Sequence, residues 1–206
     1  MIDTVVLTLK QSMFTILERG GFTPSANEIY DTPYYKSGRA YRKCTQNPTP
    51  KELKSGIYRP RLTLTKRANR KGDYEVTLRI EFSIPKLIFG NNFDELTGND
   101  DAAFVIRQDA VLKEMGVYAY KKSLINAPVS AVHYSKNIAL TDYTTPYTYL
   151  KQLTKLNINK RLDTNRTDFR NEGHSFKYRA NSFEIVFYAK IRDLKKALCF
   201  TLKSSN

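Results

Sequence analysis

Tryptophan is absent from these 206 residues, histidine and cysteine occur twice each, and methionine three times. Cys44 and Cys199 are too few and too far apart for a disulfide framework, and no Cys-His grouping has the spacing of a zinc site. There is no P-loop, no dinucleotide-binding glycine fingerprint and no Gly-x-Ser-x-Gly elbow. Those gaps remove the commonest sequence signals of nucleotide hydrolysis, nicotinamide chemistry and acyl transfer. No apolar run approaches the ~18 residues that span a bilayer. The opening Met1-Ile2-Asp3-Thr4-Val5-Val6-Leu7 alternates like a strand instead of forming the unbroken apolar core of a signal peptide. No membrane partner is expected, and a cytoplasmic location is.

Acidic side chains are also scarce, 20 against 34 Lys and Arg, which leaves a net charge of +14 and a pI near 9.7. The excess is unevenly spread. Residues 36–71 hold twelve Lys or Arg and one acid, Glu52, and residues 151–206 hold thirteen against five acids. Two basic regions therefore bracket a mildly acidic middle, a pattern that favours a polyanionic partner, nucleic acid being the commonest. Apolar residues at 41% and aromatics at 12% are enough for a folded core.

Along the chain, residues 2–9 alternate as a strand and residues 11–19 are expected as a short helix stopped by Gly20-Gly21. Proline, tyrosine, asparagine and basic residues dominate from 24 to 57, which suggests a flexible basic segment within a single domain of residues 1–206. Residues 58–65 and 74–82 alternate as the two strands of a hairpin whose turn carries Lys66, Arg67, Arg70 and Lys71. Leu62, Leu64, Val76, Leu78 and Ile80 give the hairpin one apolar face. Gly90-Asn91-Asn92 asks for a turn with positive φ. A helix is expected from an N-cap at Asn99, Asp100 or Asp101 to Gly116, burying Phe104, Val105, Val111, Leu112 and Met115. Residues 132–138 follow as a strand with apolar, buried ends. Thr145-Pro146 then opens a helix to about residue 156, residues 182–188 form a strand, and residues 191–202 form a terminal helix. Hairpins mixed with helices indicate an α+β fold, a mainly antiparallel sheet with helices packed on it.

Three constellations could carry chemistry. His133 lies mid-strand, and neutral imidazole serves either as metal ligand or as general acid/base near neutral pH. Glu81 and Glu184 are mid-strand acids flanked by apolar residues, and with His133 they would make a ligand set for Mg²⁺ or Mn²⁺ if their strands converge. A structural role for each remains the alternative. The fourteen tyrosines cluster, at Tyr30, Tyr34, Tyr35 and Tyr41 in the basic segment, then at Tyr143, Tyr147 and Tyr149, and at Tyr178 and Tyr188 near the end, and their rings could stack on unpaired bases or simply pack. Arg59 and Arg61, with the hairpin-turn cations, are the phosphate-contact candidates, a solvated charge run being the plainer reading.

Three segments together resemble a known family. Ile80-Glu81-Phe82-Ser83-Ile84-Pro85-Lys86-Leu87-Ile88-Phe89-Gly90-Asn91-Asn92-Phe93, Val132-His133-Tyr134-Ser135-Lys136-Asn137 and Glu184-Ile185-Val186-Phe187-Tyr188-Ala189-Lys190 look like the phage and plasmid replication initiation proteins, the filamentous-phage gene II-like group. The resemblance implies a rolling-circle initiator domain that binds origin DNA, works beside the host replication machinery in a bacterial cytoplasm, and nicks one strand with a metal ion and a tyrosine. Tyr188 is the candidate nucleophile, and Lys86, Lys136 and Lys190 join the DNA contacts on the strength of these segments. Two departures count against cutting: Ala189 stands where the family carries an acid, and a paired histidine motif is missing because His133 and His174 lie far apart. The ending, residues 197–206, has the look of a truncated amino-terminal portion. A non-catalytic protein that binds single-stranded DNA or RNA is the alternative.

Overall fold

A computed structural model describes residues 1–24, 41–68, 73–97, 100–155, 168–170, 173–179 and 183–191. Where the sequence suggests one domain, the contacts fall into two compact units, Met1–Lys136 and Asn137–Asn206. The fold is α+β with mainly antiparallel sheet, as the pattern of hairpins and helices implies.

In the first unit, strand β1 (Ile2–Lys10) runs into a 3-10 turn (Gln11–Met13) and a short strand β2 (Phe14–Ile16). Then come β3 (Thr23–Pro24), β4 (Tyr41–Gln46), helix α1 (Pro50–Lys54) and the long hairpin β5 (Arg61–Ala68) and β6 (Tyr74–Ser83). Helices α2 (Ile84–Phe89) and α3 (Asp101–Glu114), strand β7 (Val117–Ala119), helix α4 (Lys121–Ile125) and strand β8 (Val129–Tyr134) complete it. Six strands make one sheet in the order β3-β4-β5-β6-β1-β8, every pairing antiparallel, and β2 pairs with β7 apart from it.

The register explains the core. Val5 opposes Phe82, Leu7 opposes Ile80 and Leu9 opposes Leu78, while Leu62 and Leu64 face Ile80 and Leu78 from β5. Alternate residues share a face in a strand, so these side chains form one apolar layer. Leu9, Leu62, Leu78 and Ile80 are fully buried. Phe104, Leu112 and Met115 of α3 and its C-terminal turn pack on that layer with Phe14, Val117 and Ala119 of the β2–β7 ribbon. The Phe82 and Phe104 rings lie 5.2 Å apart.

The caps fall where the sequence places them. Asp100 precedes α3, and Gly116 ends it at φ +71. Gly90 closes α2 at φ +72. Gly116 has a second job: its carbonyl accepts from Leu17 N–H at 2.8 Å and Glu18 N–H at 3.1 Å.

Four expectations differ from the structure. Residues 14–16 form strand, not helix, because Phe14, Thr15 and Ile16 find partners in Ala119, Tyr118 and Val117. Part of the segment expected to be flexible is ordered: β4 pairs with β5 over six positions, and α1 carries a full capping box between Thr49 and Glu52. The strand expected at 132–138 lies at Val129–Tyr134, and its ends are not buried, with Val129 56% and Ile138 75% exposed. Its partner sets that limit: Ile2, the first residue of β1, opposes Tyr134, and the Met1–Ser135 backbone bonds are the last rung. The helix opened by Thr145-Pro146 ends at Leu153, short of residue 156, with Thr154 at its C-cap. The terminal helix expected at 191–202 lies, beyond Ile191, outside the described residues.

The second unit holds helix α5 (Pro146–Leu153) and a three-stranded antiparallel sheet ordered β11-β10-β9, where β9 is Asp168–Arg170, β10 Ser175–Arg179 and β11 Glu184–Tyr188. Thr145 caps α5, its hydroxyl accepting from Thr148 N–H, and Pro146 takes the first turn, where a missing N–H costs nothing. Leu150 and Leu153 of α5 pack on Phe176 and Tyr178 of β10. The Tyr178 hydroxyl donates to the Leu153 carbonyl at 2.6 Å. Among the described residues no helix is long and apolar enough to cross a membrane.

Candidate nucleic-acid interface

The sheet face opposite the core follows from the same register. It carries Lys43 and Thr45 from β4, Arg61, Thr63, Thr65 and Arg67 from β5, and Glu75, Thr77, Arg79 and Glu81 from β6. Thr4, Val6, Thr8 and Lys10 come from β1, and Ala131 and His133 from β8. The Thr8 and Ser130 hydroxyls hydrogen-bond at 2.5 Å across the β1–β8 pair. Here the alternation that makes one layer apolar gives the other six threonines, three arginines and two lysines. Val6 and Ala131 are the apolar exceptions, and Val6 is buried.

Glu81 and His133 share this face. They are separated by β1, Glu81 opposing Val6 and His133 opposing Thr4. Two strand spacings across and two residues along put their Cα atoms roughly 12 Å apart. The Glu81 carboxylate turns to the guanidiniums of Arg79 at 3.4 Å and Arg61 at 3.7 Å. Glu184 belongs to the second unit, where it bridges Lys177 at 2.8 Å and Arg179 at 3.1 Å. The Lys177 ammonium, hydrogen-bonded to it, holds its carboxyl below the usual glutamate value, and Arg179 adds to this. Among the described residues no group of three or more His, Cys, Asp and Glu is placed to hold a metal ion. Tyr188 ends β11 opposite Ser175 and is 46% exposed.

The basic candidates separate by environment. Arg61 and Arg67 are exposed on the polar face. Lys66 points to the other side, its ammonium 4.2 Å from the centre of the Tyr74 ring. Arg59 is not on the sheet: it bridges Glu52 at 2.6 Å and Glu114 at 3.7 Å, with its side chain only 23% exposed. Lys86 is exposed on α2, Lys136 reaches Glu95 at 3.3 Å, and Lys190 donates to Asn137 Oδ1 at 2.6 Å. Arg70 and Lys71 lie outside the described residues. Lys43 and Arg79 were missed by the sequence reading, although Thr-x-Thr-x-Arg alternation through β5 and β6 already places polar residues opposite an apolar set.

Buried beside this face is one polar cluster. Ser83, 8% exposed, donates its backbone N–H to the Tyr58 hydroxyl at 2.5 Å and its own hydroxyl to Asp3 at 3.1 Å. Burial, reinforced by the charges of Asp3 and Glu81, pushes the Tyr58 hydroxyl up to about 12.

Compared with protein-family models, with curated proteins and with solved structures, the chain matches none.

Proposed function

We propose that this protein is a replication-initiation-like DNA-binding protein whose first unit meets the phosphate backbone with the polar face of its six-stranded sheet. The observation that carries this reading is the alignment of Lys10, Lys43, Arg61, Arg67 and Arg79 among six threonines on one face, with Glu75, Glu81 and, against the Thr4 and Ser83 hydroxyls, Asp3 as the acids that the described residues place there. Arginine and threonine side chains both contact phosphate oxygens. The Arg61 and Arg79 bridges to Glu81 are long and the two arginine side chains are more than half exposed, so Glu81 holds the guanidiniums weakly. The net charge of +14 adds long-range attraction.

Binding measured between 50 and 200 mM salt tests the reading. Each phosphate neutralised costs about 3-fold in affinity across that range. Replacing Arg61, Arg67 and Arg79 together by glutamine lowers the log–log salt slope by about 2 to 2.7. Affinity unchanged across the salt range refutes it. The nicking that the family resemblance implies is a separate question: origin DNA with Mg²⁺ or Mn²⁺ yields a covalent protein–DNA adduct if a tyrosine such as Tyr188 attacks the phosphodiester, and no adduct leaves the binding reading alone.

A further inference from the structure

Tyr143 stands in the left-handed region, at φ +60, the one non-glycine residue with positive φ among those described. Glycine or asparagine takes that conformation readily and tyrosine does not. Its ring is wholly exposed, at 102%, so packing does not hold the chain there. Asp142 does. Its Oδ1 accepts from the Thr144 N–H at 3.2 Å and the Thr144 hydroxyl at 2.7 Å, and its Oδ2 accepts from the Tyr149 hydroxyl at 2.7 Å. The turn is thereby tied to α5, and the result is an aromatic ring held out in solvent on a fixed stem. Strain stored in a pinned turn points to a use for what the turn presents.

The surroundings indicate the ligand. Tyr147, 42% exposed, lies beside His174, the ring centres 6.3 Å apart and tilted by 58°. His174 is fixed in turn by its carbonyl, which accepts from Ala189 N–H at 2.9 Å. Lys151 follows Tyr147 by one helical turn, so it shares that side of α5, and it is exposed. Residues 137–206 carry thirteen Lys or Arg against six acids. Exposed aromatic rings within a cationic unit fit a polyanion that itself offers flat apolar faces. In a duplex those faces are covered by neighbouring bases; in a single strand they are free.

We propose that Tyr143 and the Tyr147–His174 pair form a stacking site for unpaired bases of a single-stranded nucleic acid, with Lys151 contacting the adjoining phosphate. The site rests on the nucleic-acid reading above and adds a second surface, on the other unit, with its own chemistry. Its tyrosines contribute through base faces, so their share responds to the presence of bases and not to salt, while Lys151 carries the salt dependence.

Fluorescence anisotropy with oligothymidine, with the same strand carrying abasic positions, and with a duplex of equal length tests it. Tyr143→Ala and Tyr147→Ala each weaken oligothymidine binding by about 5- to 150-fold. Both leave the abasic strand, the duplex and the salt slope unchanged, and Tyr143→Trp restores affinity. Lys151→Ala instead lowers the slope by about 0.7. Equal losses on oligothymidine and the abasic strand, or no loss on oligothymidine while the unaltered protein binds it, overturn the stacking site. If the unaltered protein binds none of the three, the nucleic-acid reading falls and takes the site with it. A parallel series with oligouridine assigns the site to RNA where the tyrosine losses are larger there, and to DNA where they are not.

Discussion

Replacing Tyr58 by phenylalanine removes one oxygen from a buried cluster, and the structure sets both the size of the loss and its pH dependence. The lost hydroxyl accepts the Ser83 N–H, and Ser83 is 8% exposed, so no water takes its place. A buried donor left without an acceptor costs about 1–3 kcal/mol, which is the expected deficit of Tyr58→Phe from pH 7 to 9. The same hydroxyl is held protonated by burial, its pKa rising from 10 unfolded to about 12 folded. A raised folded value means that the stabilisation is complete below pH 10 and is lost as the pH climbs through 12. Two pH units correspond to about 2.7 kcal/mol, of which about 2 kcal/mol is gone by pH 12. The gap between the two proteins therefore narrows or closes from pH 10 to 12. Urea unfolding followed by circular dichroism at a series of pH values measures it, and the difference between the two curves cancels the lysines that titrate in both. Parallel curves over that range would refute the argument.

Two further substitutions probe the scaffold. Gly116→Ala places a Cβ 2.6 Å from the Glu18 Cβ and 3.2 Å from its Cα, at φ +71; backbone strain alone costs about 1–2 kcal/mol, and urea midpoints should show a loss beyond that. Ile80→Ala empties a fully buried position between Leu7 and Leu62, and a loss of about 2–5 kcal/mol is expected; a change under 1 kcal/mol would mean that the core layer is not packed as described.

What the sequence disclosed depended on how local the signal was. The β5–β6 hairpin alternates over eight and ten residues and pairs with itself, so its apolar face was legible in full. Helices α3 and α5 carry their boundaries in Asp100, Gly116 and Thr145-Pro146. Strand β4 was not legible, because Lys43 and Thr45 lie on the polar face and Cys44 alone among residues 43–45 turns towards Leu64. Nor was β2, which becomes a strand through partners about a hundred residues away. For the site, alternation marked Glu81 and His133 as mid-strand polar residues but could not say that β1 would lie between them. Arg59 reads as a phosphate contact when placed on the incoming hairpin strand, but β5 begins at Arg61 and Arg59 turns to Glu52 and Glu114. Tyr143 gave no sign of its backbone, since a tyrosine carries none of the usual markers of positive φ.

The position of β1 also bears on how the protein is made. It is the fifth of six strands in the sheet, flanked by β6 and β8, whose residues follow it by some seventy and some one hundred and twenty-five positions. At synthesis rates of about 5–20 residues per second, β8 emerges roughly 6–25 s after β1. Through that interval Thr4-Val5-Val6-Leu7-Thr8-Leu9 is an exposed apolar strand, first without any partner and then with one edge open. Nascent chains are therefore most exposed to aggregation before β8 arrives, and a chaperone that holds extended apolar segments has its target at β1.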